Sequence, residues 1–133
     1  FENEDYLKTR VWLTPPTKMD RAQLLREGYY SIFSSVGART EIPGCSLCMG
    51  NQARVRPDAT VVSTSTRNFD NRMGDRARVY LGSAELAAIA ALKGKIPVPD
   101  EYFDIHLKKI LPYKNEIYKY LQFDQIEDLK LDY

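Results

Sequence analysis

Two periodicities alternate along the first hundred residues. Thr9-Arg-Val-Trp-Leu-Thr14 is short, β-rich and closed by Pro15-Pro16, so it predicts a strand over 9–14. Thr17 suits a helix cap, and Met19, Ala22 and Leu25 recur at helical spacing before Gly28, predicting a helix over about 18–27. A second helix is predicted over about 29–36; it carries Tyr30 and Phe33 and stops at Gly37. A short strand is predicted over 38–42, which Pro43-Gly44 breaks. Ala59 to Thr64 reads as a strand whose near-continuous apolar start fits a buried parallel sheet. After an irregular stretch rich in Asn, Asp and Arg comes a third strand at Val79-Tyr80-Leu81. Ser83, with Glu85 behind it, caps a helix over 84–93 that Gly94 ends.

Strand and helix in alternation predict an α/β unit, a three-layer sandwich with a mainly parallel sheet. Ligands of such sheets sit at the carboxyl ends of the strands. The loops after 9–14, around 43–50 and after 59–64 are therefore the candidate site. The pattern changes after Ile96-Pro-Val-Pro99. The remainder is Lys- and Tyr-rich, with helices predicted near 100–111 and 114–121 and an acidic end. The division predicted is an α/β domain over 1–97 and a helical extension over 98–133, with Tyr102, Phe103 and Leu107 as the face packed on the α/β body. His106, the lone histidine, reads as a surface or packing residue.

Composition narrows the function. With 133 residues the chain has the length of one domain. A net charge of +1, from 19 basic and 18 acidic residues, argues against nucleic-acid binding by bulk charge. No apolar run approaches the roughly 20 residues of a membrane helix. The acidic start at Phe1 is neither a signal nor a transit peptide, and reads as a processed end or as part of something longer.

The average charge hides a separation. All ten arginines lie between Arg10 and Arg78, and no lysine occurs between Lys18 and Lys93. Residues 51–80 hold six arginines against Asp58, Asp70 and Asp75. Arginine presents a planar fork that grips carboxylate or phosphate through two hydrogen bonds. The set suggests geometric recognition of anions; solvated surface with local ion pairs is the plain alternative.

Cys45 and Cys48 form a C-x-x-C. The spacing suits a redox pair, part of a metal or iron–sulfur site, or two inert thiols. Two cysteines and one distant histidine do not complete a zinc site or a cluster alone.

The longer motifs resemble the aconitase superfamily. Pro43-Gly-Cys-Ser-Leu-Cys-Met-Gly-Asn-Gln52 and Ser63-Thr-Ser-Thr-Arg-Asn-Phe-Asp-Asn-Arg72 carry the resemblance. Val11 to Asp20 and Ser83 to Ala90 look like the bacterial B-type aconitate hydratases, which are also 2-methylisocitrate dehydratases. The likeness runs from about residue 9 to 99.

That resemblance implies a cytoplasmic hydro-lyase of the tricarboxylic acid cycle, interconverting citrate and isocitrate through cis-aconitate. It implies a 4Fe–4S cluster held by three cysteines, with one iron open to act as a Lewis acid. Cys45 and Cys48 match two of those ligands, and the third would lie upstream of Phe1. Arg67 and Arg72 match the arginines that grip substrate carboxylates. By the same resemblance Asn51 and Asn68 are candidates for polar contacts to the cluster or substrate. Thr66 stands where many aconitases carry Asn. No catalytic base is expected within the chain, because in the family that serine belongs to another domain. The segment alone is therefore expected to be inactive and to work with the remaining aconitase domains. Two alternatives stay open: another cluster-dependent hydro-lyase, of the isopropylmalate or homoaconitate type, and an apo form that binds messenger RNA.

Overall fold

A computed structural model describes residues 1–44, 47–48 and 53–117. The chain divides after Pro97 into two compact units.

The first unit opens with strand β1 (Trp12–Leu13). Pro15 and Pro16 bound its carboxyl end after Thr14, and the strand is shorter than the predicted 9–14. Helix α1 (Lys18–Arg26) starts where the sequence predicts. The Thr17 backbone is extended, and its Oγ1 accepts from the Asp20 amide at 3.1 Å. Asp20 in the first turn and Arg26 in the last complement the helix dipole. The Met19–Leu25 stripe, however, does not mark a buried face: Met19 is 81% exposed and Leu25 half-exposed. Leu24 turns inward instead, beside Leu13, Tyr30 and Phe33.

Helix α2 (Tyr29–Ser35) ends in a complete Schellman turn. The Gly37 amide donates to the Ser34 carbonyl at 3.1 Å and the Ala38 amide to the Phe33 carbonyl at 2.9 Å. Gly37 supplies the left-handed φ of 73° that this turn needs. The reversal delivers strand β2 (Arg39–Thr40) parallel to β1, pairing Trp12 with Arg39 and Leu13 with Thr40. The Gly44 amide still reaches the Pro15 carbonyl at 3.1 Å, so the chain leaves β2 alongside the end of β1.

Strands β3 (Thr60–Ser63) and β4 (Arg78–Leu81) form a second parallel pair, in register from Thr60–Arg78 to Ser63–Leu81. Helix α3 (Ala84–Lys93) follows β4 with the predicted bounds. The Ser83 Oγ accepts from the Leu86 amide at 3.1 Å, and Gly94 closes the helix at φ 76°. Ile89, Ala90 and Ala91 are its buried face and form the core with Val36, Leu47 and Met73. Helices and parallel strands make the unit α/β, built on two separate two-stranded sheets among the described residues.

The second unit begins with helix α4 (Pro99–Ile105), a wide π turn over His106–Ile110, a tight turn at Leu111–Tyr113 and helix α5 (Lys114–Ile117). Pro99 occupies the first helical position, and Glu101 Oε2 reaches back to the Val98 amide at 3.3 Å. His106 stacks on Tyr102 at 5.6 Å, the packing role expected of a lone histidine. The predicted helix over 114–121 extends beyond the described residues. No helix among the described residues is long and apolar enough to cross a membrane.

Candidate functional site

The chain leaving β2 enters the cysteine loop, and the chain leaving β3 enters the arginine loop. One side chain joins them. Arg72 is 2% exposed, the one buried charged residue among those described. Its Nη1 donates to the Cys48 carbonyl and, at 3.1 Å, to Ser65 Oγ. Its Nη2 donates to Ser63 Oγ at 3.2 Å. The Nε–H is buried without a partner among the described residues. A buried guanidinium persists only when its donors are satisfied, so these three oxygens hold the charge in place.

Ser65 extends the network to the second arginine. Its hydroxyl donates to the Arg67 carbonyl at 3.3 Å and accepts from the Arg67 amide at 3.2 Å. Arg67 is thus fixed by its backbone, while its side chain is exposed and has no partner among the described residues. The two arginines differ in kind: Arg67 offers an open fork, and Arg72 has most of its fork closed on the protein.

Backbone contacts set the position of Arg72. Residues 53–58 run beside 71–75, with the Val55 amide on the Met73 carbonyl at 2.8 Å and the Asp58 amide on the Asp75 carbonyl at 3.0 Å. Arg54 Nη2 donates to the Asn71 carbonyl at 3.0 Å. The approach is close enough that a Cβ on Gly74 would stand 2.5 Å from the Val55 carbonyl oxygen. Asn71 takes the left-handed conformation at φ 59°, and its Oδ1 accepts from the Arg76 amide at 2.7 Å.

The plain reading of the arginine cluster holds for Arg76. It forks onto Asp58, with Nε–Oδ1 and Nη2–Oδ2 both 3.0 Å, and reaches Asp75 at 2.8 Å. The hydrogen bond to Asp58 raises its pKa above the ordinary arginine value, with desolvation opposing. All three side chains are exposed, so the cluster orders a surface loop more than it stabilises the fold. Asn68 also serves the fold, its amide donating to the Val79 carbonyl at 2.9 Å.

Of the residues expected at the site, Cys48, Arg67 and Arg72 fall in the described part and lie in or are bonded into one network. Cys45 and Asn51 lie outside the described residues. Cys48 is a free, half-buried thiol. No group of three or more His, Cys, Asp or Glu side chains that could hold a metal ion occurs among the described residues. Sequence reasoning assigned no role to Ser63 and Ser65. The available signal was two hydroxyls two residues apart at a strand's carboxyl end, where they share a side of the chain.

Comparison with known proteins agrees with these motifs. The model of the aconitase family (aconitate hydratase) matches residues 3–94. Aconitate hydratase B of Synechocystis sp. is 58% identical over 130 residues, covering 98% of this chain and 15% of that protein. Aconitate hydratase B of Salmonella typhimurium is 62% identical over 120 residues, 90% of this chain and 14% of that protein. The 3-isopropylmalate dehydratase large subunit of Flavobacterium johnsoniae is 40% identical over 94 residues, 70% of this chain and 20% of that subunit. The chain therefore spans about one-seventh of the length of its aconitate hydratase relatives. By the family match and by these identities, this chain belongs to the aconitase family.

Proposed function

We propose that this chain is the part of a B-type aconitate hydratase that supplies two cluster thiolates and a carboxylate-gripping arginine. The full-length enzyme would interconvert citrate and isocitrate through cis-aconitate and dehydrate 2-methylisocitrate. The observation that carries this reading is the Arg72 network, which ties the C-x-x-C loop to the loop bearing Arg67. Identity favours aconitate hydratase over the isopropylmalate enzymes, at 58–62% against 40%.

The residues suit a 4Fe–4S cluster. Cys45 and Cys48 are soft donors at the right spacing, Cys48 carries a free thiol, and a buried cation is bonded to its backbone. When bound, the cluster supplies Lewis acidity toward a substrate hydroxyl and carboxylate. Cys45 and Cys48 would hold it, with Asn51 beside it and the third thiolate from elsewhere in the full-length protein. Arg67, exposed and unpaired among the described residues, grips a substrate carboxylate through its fork. On Arg72 the unpartnered Nε–H and the second N–H of Nη2 are left for a carboxylate oxygen. The base comes from another domain, so the 133-residue chain alone is inactive.

The sheets support a larger architecture. Parallel sheets are covered on both faces, yet Tyr80 of β4 is 51% exposed and Leu81 44%. Further strands and helices of the full-length protein would complete a three-layer sandwich around these pairs. The test is anaerobic reconstitution of the full-length protein with iron and sulfide, then turnover of citrate and of isopropylmalate. Citrate turnover is expected; turnover of isopropylmalate alone would overturn the assignment.

A further inference from the structure

We infer that Arg72 is a positioning residue for the cysteine loop, and that it acts through the backbone of Cys48. The inference rests on the reading of Cys48 as a cluster ligand and assigns Arg72 a task beyond contact with substrate. A guanidinium whose purpose is to bind substrate keeps its fork free. Here Nη1 and Nη2 are taken by the Cys48 carbonyl and by the hydroxyls of Ser63 and Ser65. Ser63 is the last residue of β3, and Ser65 holds the backbone of Arg67. Arg72 thus fastens the ligand loop to a strand end and to the substrate-facing arginine at once.

The charge adds to the geometry. A hydrogen bond from a charged donor to a carbonyl is stronger than a neutral one, and burial at 2% exposure strengthens it further. The anchor itself is rigid. The backbone around Arg72 is held by the Val55–Met73 and Asp58–Asp75 hydrogen bonds and by the close approach of Gly74 to Val55. Lysine cannot replace this fork, because an ammonium is a single point charge on a flexible stem and lacks the two separated nitrogens that reach these three oxygens. The bond reaches the backbone of Cys48 and leaves its thiol free, so Arg72 holds this position through the main chain without occupying the ligand atom.

The test uses the full-length protein in cluster-free form and follows alkylation of each cysteine by iodoacetamide with peptide mapping. Arg72→Lys and Arg72→Gln should each raise the Cys48 rate about tenfold, the local opening expected when a buried charged hydrogen bond is lost. Cysteines outside the loop should keep their rates, and Arg67→Lys should leave Cys48 at the wild-type rate. If Arg72→Gln does not fold, the Ser63→Ala/Ser65→Ala double variant keeps the cation but removes its anchor and should also speed Cys48. An unchanged Cys48 rate in a folded variant, or an equal rise at all cysteines, overturns the inference. Because no turnover is read, failure of the citrate assay would leave this result standing.

Discussion

The Arg72 guanidinium closes on the backbone carbonyl of Cys48, 24 positions earlier in the chain, and so joins that carbonyl to Ser63 at the end of β3. The contact is long-range in sequence and buried, which makes its partners sensitive to removal.

The two serine hydroxyls are the first case. Ser63→Ala or Ser65→Ala leaves one donor of a buried cation unsatisfied, and each should cost about 1–3 kcal/mol. The double variant should cost more than either alone. Because the hydroxyls share one guanidinium, the two losses should not simply add. Urea denaturation of the singles and the double checks both statements.

Gly74 offers a purely steric prediction. A methyl group there would press on the Val55 carbonyl oxygen at 2.5 Å, which is backbone and cannot swing away. Gly74→Ala should destabilise by about 1–3 kcal/mol through overpacking. Gly28→Ala is the contrasting case: nothing lies within 4 Å, but φ is +80°, so the cost should be the left-handed penalty of about 1–2 kcal/mol. Thermal melts of the two variants beside the parent check both costs.

Arg67 should behave differently from all of these. Its side chain has no partner among the described residues, so Arg67→Lys should leave stability within about 0.5 kcal/mol. In the reconstituted full-length protein the same change should lower kcat/KM for citrate roughly tenfold to a hundredfold. That is the loss expected from about 1.5–3 kcal/mol of charge-assisted bonding. Unchanged kinetics would remove Arg67 from the carboxylate grip.

Where the sequence was legible, local chemistry decided the structure. Thr17, Gly37, Ser83 and Gly94 bound their helices as capping rules require, because a cap is settled by its own few residues. Strand lengths and the exposed Met19–Leu25 stripe were not legible, because both depend on what packs alongside. The candidate site was half legible. Arg67 and Arg72 look alike in the sequence, and only the fold separates an open fork from one closed on Cys48, Ser63 and Ser65. The spacing of the two serines marked a shared side of the chain, but their partner, the Arg72 guanidinium, is set by contacts made across the fold.

The most direct test compares the full-length protein with its Cys48→Ser variant after identical anaerobic reconstitution, following visible cluster absorbance and citrate turnover together. The account predicts that the parent gains both and that Cys48→Ser loses both. A variant that keeps its cluster absorbance and its citrate turnover would contradict the assignment of this loop as a cluster-bearing part of an aconitate hydratase.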